Sequence, residues 1–187
     1  MTLRAIPNLW YVRPADANET TMAWRIALER CGGPVAMALT RQKVPTFDRS
    51  DVAAAEGALR GAYTLWQSGE GEPDLVLIAT GSEVWVALDG ARRMDANVRV
   101  VSMPCWELFE RQSPEYRDEV LPPDVRARLA VEAGVALGWK QWVGDHGDSV
   151  SLDRFGSSAP GTTVLERLGY NVDNVASRAV ALLQRVT

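Results

Sequence analysis

The sequence predicts an α/β fold: a three-layer α/β/α domain on a mixed, mostly parallel sheet of about five strands, preceded by a partial α/β unit. Three observations carry this. Asp74–Thr80 contains the uninterrupted apolar run LVLIA, and a strand apolar on both faces belongs in a parallel sheet covered by helices. The segment that follows reads as glycine turn, helix and a second apolar strand, Val98–Met103. Gly61–Trp66 precedes LVLIA across the short turn SGEGEP. So close a pair is expected to run antiparallel, which reverses the first strand of the sheet.

The elements follow in order. Trp10–Val12 is a short strand ended by Arg13-Pro14. Asp16 or Asn18 caps a helix running to Glu29 or Arg30, and Gly32-Gly33-Pro34 stops it. Val35–Leu39 is a second buried strand. Thr40–Glu56 is polar with few apolar residues and reads as a loop and linker. After the strand at Leu75, Ser82 is placed to cap a helix with Glu83 in its first turn and Val84, Leu88 and Ala91 on one face. Helical stretches are expected at Trp106–Arg111 and Pro114–Val120, before the break at Pro122-Pro123. Arg128–Ala133 and Ser149–Leu152 read as strands, and Val172–Arg185 as an amphipathic C-terminal helix. The boundary between the partial unit, 1–60, and the compact domain, 61–187, falls near residue 60.

Composition excludes several classes of function. The 187 residues carry a net charge of −4, which gives no general attraction to nucleic acid or anionic membrane. No apolar run approaches the roughly 20 residues of a membrane span, and MTLRAIPN is not a secretory leader. The cytoplasm is the expected compartment. Cys31 and Cys105 lack the spacing of a metal quartet and are expected to be reduced, packed thiols. The seven Trp are expected to fill core or interface.

The single histidine, His146 in GDHGDS, reads as a solvated loop residue. No Ser-His-Asp or Cys-His set can be assembled without it, and no P-loop or GxGxxG is present. Four positions remain. Arg41 follows VAMAL at the carboxyl end of its strand, the side of an open α/β sheet that faces ligands, and its fork of donors suits a phosphate. Gly81 and Ser82 open a helix and form a candidate anion site. Glu132 ends the strand RLAVE and, if buried, needs a donor from the backbone or from the neighbouring unit. Arg154, beside the small residues of FGSSAP, reads as part of a packed turn.

ANETTMAW (17–24), GPVAMALTRQ (33–42), LIATGSEVWVAL (77–88), VRVVSMPCWELFERQ (98–112), YRDEVLPP (116–123), VEAGVALGW (131–139) and DRFGSSAP (153–160) together resemble the C-terminal part of transketolase over essentially the whole chain. The resemblance implies the tail of a pyrimidine-binding domain in residues 1–60 and a C-terminal domain in 61–187. It implies an enzyme, a homodimer, that uses thiamine diphosphate and a divalent metal (Mg or Ca) to move a two-carbon ketol unit between sugar phosphates. The family's metal motif, its cofactor-activating glutamate and its DGPTH histidine have no counterpart among these residues. Arg41, in TRQ, matches the arginine that grips the substrate phosphate. The expectation is therefore a C-terminal portion inactive alone, with no cofactor bound to it, completed by an N-terminal region or subunit. Two alternatives stand beside it: a non-enzymatic binding or regulatory module, and a part serving mainly in assembly. In the last case, self-association or poor order of residues 1–60 is expected.

Overall fold

A computed structural model describes residues 2–186 of the chain. Among these, β1 (Trp10–Val12) and β2 (Val35–Met37) pair in parallel, connected through α1 (Ala17–Glu29). A second sheet contains β3 (Tyr63–Gln67), β4 (Leu75–Ala79), β5 (Val98–Ser102), β6 (Arg128–Val131) and β7 (Asp148–Val150), in the order β3-β5-β4-β6-β7. β3 is antiparallel to β5, and the other pairs are parallel.

The unbroken apolar run of β4 is explained by two cores. Leu75, Leu77 and Ala79 face α2 (Glu83–Ala91) and α7 (Val172–Val186), packing on Val84, Leu88, Val175 and Leu182. Val76 and Ile78 face the opposite layer, where α3 (Trp106–Phe109), α4 (Pro114–Val120) and α5 (Lys140–Val143) supply Trp106, Phe109, Val120 and Trp142. A short α6 (Gly161–Arg167) precedes α7.

The first strand is reversed as expected, but its partner differs. β5 lies between β3 and β4, so the two do not form a hairpin. Asn97 accounts for this. Its side-chain amide donates to the carbonyls of Glu70 (3.0 Å) and Glu72 (3.1 Å) and its oxygen accepts from the Gly69 N–H (3.1 Å). The SGEGEP turn therefore wraps the start of β5 instead of closing on itself.

The segment read as a linker is packed. Phe47 stacks on Trp85 with ring centroids 4.1 Å apart, and Val52 is buried. Arg49 spans both Asp16 oxygens at 3.1 Å, while Asp16 caps α1 by accepting from the Glu19 N–H at 2.8 Å. A 3₁₀ turn, Ala55–Arg60, ends at Gly61 (φ +86), where a Cβ would lie 2.3 Å from the Phe109 nitrogen, so only glycine fits.

Residues 2–60 are tied to the rest through buried polar groups. Glu19 accepts from the Tyr63 hydroxyl (2.8 Å), the Ser102 hydroxyl (2.6 Å) and the Ala15 N–H (2.8 Å). Burial pushes its carboxyl pKa up despite these bonds. The outer side of β1 is closed as well. The Tyr11 N–H donates to Glu107, the Arg13 N–H to the Pro104 carbonyl (2.9 Å), and the Gly81 N–H to the Arg13 carbonyl (3.0 Å). β2 has no described strand on its far side. Of the thiols, Cys105 is buried as expected and Cys31 is exposed. Among the tryptophans, Trp24 stands out as 52% exposed.

Candidate functional site at the strand carboxyl ends

The carboxyl ends of the parallel strands of the two sheets meet. Arg13 follows β1, Thr40-Arg41-Gln42 follow β2, Thr80–Glu83 follow β4 and Glu132 follows β6. Loops at such ends carry ligand sites in open α/β sheets because the chain leaves the sheet there and its side chains converge on one crevice.

At the centre lie two arginines and two glutamates. Arg13 donates through Nη1 to Glu132 Oε1 (2.7 Å) and through Nη2 to Glu83 Oε2 (2.9 Å). Glu132 Oε2 accepts from Arg4 Nη1 and from the Trp139 indole N–H, both at 2.8 Å. Glu83 Oε2 also accepts from the Ala133 N–H (3.1 Å), and its Oε1 from the Ser82 hydroxyl (2.7 Å). The Arg4 guanidinium lies 3.9 Å from the Trp106 ring centroid, a cation–π contact. Burial opposes the charge on Glu132, but the bonds and charges of Arg4 and Arg13 outweigh it and hold its pKa below the ordinary value. All four carboxylate oxygens thus have donors, and the two arginines offset the two acids. The cluster is a buried ionic lock, not an acid–base pair.

Ser82 is buried and supplies no side-chain cap to α2, contrary to the capping role expected of it; its hydroxyl is turned to Glu83. Gln42 Nε2 donates to Ser82 Oγ across 3.3 Å. Gly81, at φ +64, lies against Arg13: a Cβ there would fall 2.9 Å from Arg13 Nη2. Arg41 is exposed, one residue from Gln42, and its guanidinium makes no ion pair with a described residue. Arg154 is exposed, with Nε donating to the Phe155 carbonyl (3.2 Å). His146 is exposed beside Arg126, and the neighbouring Asp145 pairs with Lys140 at 3.0 Å. With these cations already facing it, the GDHGDS loop does not suit a metal ion. No group of three or more His, Cys, Asp or Glu among the described residues could hold one. No helix among them is long and apolar enough to cross a membrane.

The sequence reading located Arg41, Ser82 and Glu132 but not Arg4, Arg13, Gln42 or Trp139. The one available signal was Glu132 itself, a carboxylate closing an apolar strand and therefore in need of a partner.

A family model for the transketolase-like TK C-terminal domain matches residues 61–171, and one for the transketolase pyrimidine binding domain matches residues 1–46. This chain belongs to the transketolase family. The curated transketolase of Aquifex aeolicus (strain VF5) is 53% identical over 182 residues, which cover 96% of this chain and 26% of that protein. The Geobacillus stearothermophilus transketolase is 50% identical over 185 residues, 97% of this chain and 28% of its own length. Among solved structures, Leishmania mexicana transketolase superposes with a TM-score of 0.89 at 37% identity, over 98% of this chain and 26% of that one. A Pichia stipitis transketolase in complex with sedoheptulose-7-phosphate does so with a TM-score of 0.88 at 34% identity, over the same shares. A split-gene transketolase described as an inactive β4 tetramer shares the fold, with a TM-score of 0.71 at 20% identity, over 97% of this chain and 59% of that one. The chain corresponds to a C-terminal portion of transketolase and spans about a quarter of the length of the curated transketolases it matches. The family implies thiamine diphosphate and a divalent metal in the full enzyme. The donor set described above does not fit the metal.

Proposed function

We propose that this chain is the scaffold and phosphate-gripping part of a thiamine-diphosphate-dependent transketolase that moves a two-carbon ketol unit between sugar phosphates. Residues 1–60 are the end of its pyrimidine-binding domain and 61–187 its C-terminal domain. An N-terminal transketolase region or subunit supplies the cofactor and metal grip, and the working form is a homodimer. The observation that carries this reading is the contrast between arginines at one crevice. Arg4 and Arg13 are neutralised by Glu132 and Glu83, whereas Arg41 is exposed at the end of a parallel strand with no described ion-pair partner. A guanidinium held there without a counter-ion suits the dianion of a sugar phosphate.

The test is an assay of ketol transfer by the chain alone and after addition of an N-terminal transketolase region. Activity is expected only from the mixture. In the mixture, Arg41→Ala is expected to raise KM for a phosphorylated acceptor by roughly 10- to 100-fold, the effect of removing one charge-assisted contact. Turnover by the isolated chain would overturn the proposal. A second reading, a part acting in assembly, is favoured by the edge of β2, unpaired among the described residues, and by Leu28, which is 79% exposed.

A further inference from the structure

Arg41 has no described ion pair to hold it, so something must fix the backbone that presents it. Its two neighbours are held. The Thr40 hydroxyl donates to the Gln42 carbonyl (3.3 Å), closing a small loop around Arg41. The Gln42 side chain reaches inward to Ser82 Oγ (3.3 Å), and Ser82 in turn donates to Glu83 (2.7 Å). Glu83 is fixed by Arg13 and the Ala133 N–H, and Arg13 by Glu132. On its other flank Gln42 is backed by the start of α6, where a Cβ on Gly161 would lie 3.5 Å from Gln42 Cβ. The result is an unbroken series of bonds from the buried ionic lock to the residue beside the exposed arginine. Along it, the strand ends of β1, β2, β4 and β6 share one set of partners.

We infer that Gln42 is a positioning residue for sugar-phosphate binding, and that the Ser82–Glu83 pair at the start of α2 transmits the rigidity of the lock to Arg41 through it. This rests on the reading of Arg41 as the phosphate anchor. Neither Gln42 nor Ser82 touches substrate. Each sets where the guanidinium sits, and small misplacements of a binding group carry large losses. The function of Ser82 then lies in its hydroxyl, which accepts from Gln42 and donates to Glu83 at once; alanine there breaks both bonds.

The experiment uses the chain completed by an N-terminal transketolase region. KM and kcat are measured with a phosphorylated acceptor sugar and with an unphosphorylated one. Gln42→Ala and Ser82→Ala are each expected to raise KM for the phosphorylated acceptor by about 3- to 10-fold, as for loss of a neutral hydrogen bond. The unphosphorylated acceptor and kcat are expected to stay unchanged. In an Arg41→Ala background, Gln42→Ala is expected to add nothing, because its effect runs through the missing guanidinium. Thermal unfolding of each variant guards against a general loss of fold. Equal losses for both acceptors, or a full additional loss in the Arg41→Ala background, would overturn the inference. If Arg41→Ala is selective for the phosphorylated acceptor and Gln42→Ala is not, this inference alone falls. If Arg41→Ala is not selective, the anchor reading falls and takes the inference with it.

Discussion

Glu132 concentrates more charge chemistry than any neighbour, accepting from two arginines and an indole while its own carbonyl accepts from the Tyr170 hydroxyl at 2.9 Å. Removing it takes from Arg13 one of its two carboxylate partners and from Arg4 its bond to Glu132, within a buried cluster. Glu132→Ala is therefore expected to cost about 3–5 kcal/mol, measured by denaturant unfolding. Its pH dependence follows from the direction of its shift. The folded pKa lies below the ordinary 4.5, so the stabilisation is complete above that value and is lost as pH falls through it towards the folded pKa. The unfolding midpoint of the wild type is expected to drop below about pH 4.5, and that of Glu132→Gln to drop less. An equal slope in both proteins would show that other carboxylates carry the acid response. At this scale the sequence was half informative. TRQ after an apolar strand makes Arg41 a candidate from adjacent residues, and its phosphate role is what the family resemblance implies. The bonds that define the lock join Arg13 to positions 70 and 119 residues away, and no local pattern carries that information.

Among the elements, legibility followed how local the cause was. β4 was readable because both of its faces are buried, which leaves an apolar run in the chain itself. α1 was readable from Asp16, and the structure shows Asp16 doing more than capping: it also accepts from the Phe47 N–H at 3.0 Å and pairs with Arg49. Asp16→Ala is accordingly expected to cost about 3 kcal/mol, more than the roughly 1 kcal/mol of an ordinary cap, because it releases the 40–60 segment as well. Faster proteolysis at Arg49 relative to a surface control is the check; unchanged cleavage would mean that Phe47 stacking alone holds the segment. The β3–β4 hairpin was misread because pairing was inferred from turn length, whereas Asn97 fixes the turn to a strand later in sequence. α5 and α6, at 4 and 7 residues and without side-chain caps, were not anticipated, although α3, equally short and uncapped, was.

For the whole molecule, the main division among the described residues is between a five-stranded sheet and a two-stranded sheet bonded to it. Buried contacts of Glu19 with Tyr63 and Ser102 hold residues 2–60 against the larger sheet, yet the smaller unit leaves Trp24, Leu28 and Leu39 at 52%, 79% and 50% exposed. An unpaired parallel edge beside an apolar surface is a site of association. The isolated chain is expected to self-associate with rising concentration in light scattering, and to do so less once an N-terminal transketolase region is added. A concentration-independent monomer would remove the assembly reading while leaving the ketol-transfer proposal intact.

The closed flank of β1 has a further consequence. Because Pro104, Glu107 and Gly81 already occupy that side, the open edge of the small sheet among the described residues is the one next to β2. Two copies joined there, β2 against β2, would use up each other's open edge, so association through this sheet is expected to stop at pairs.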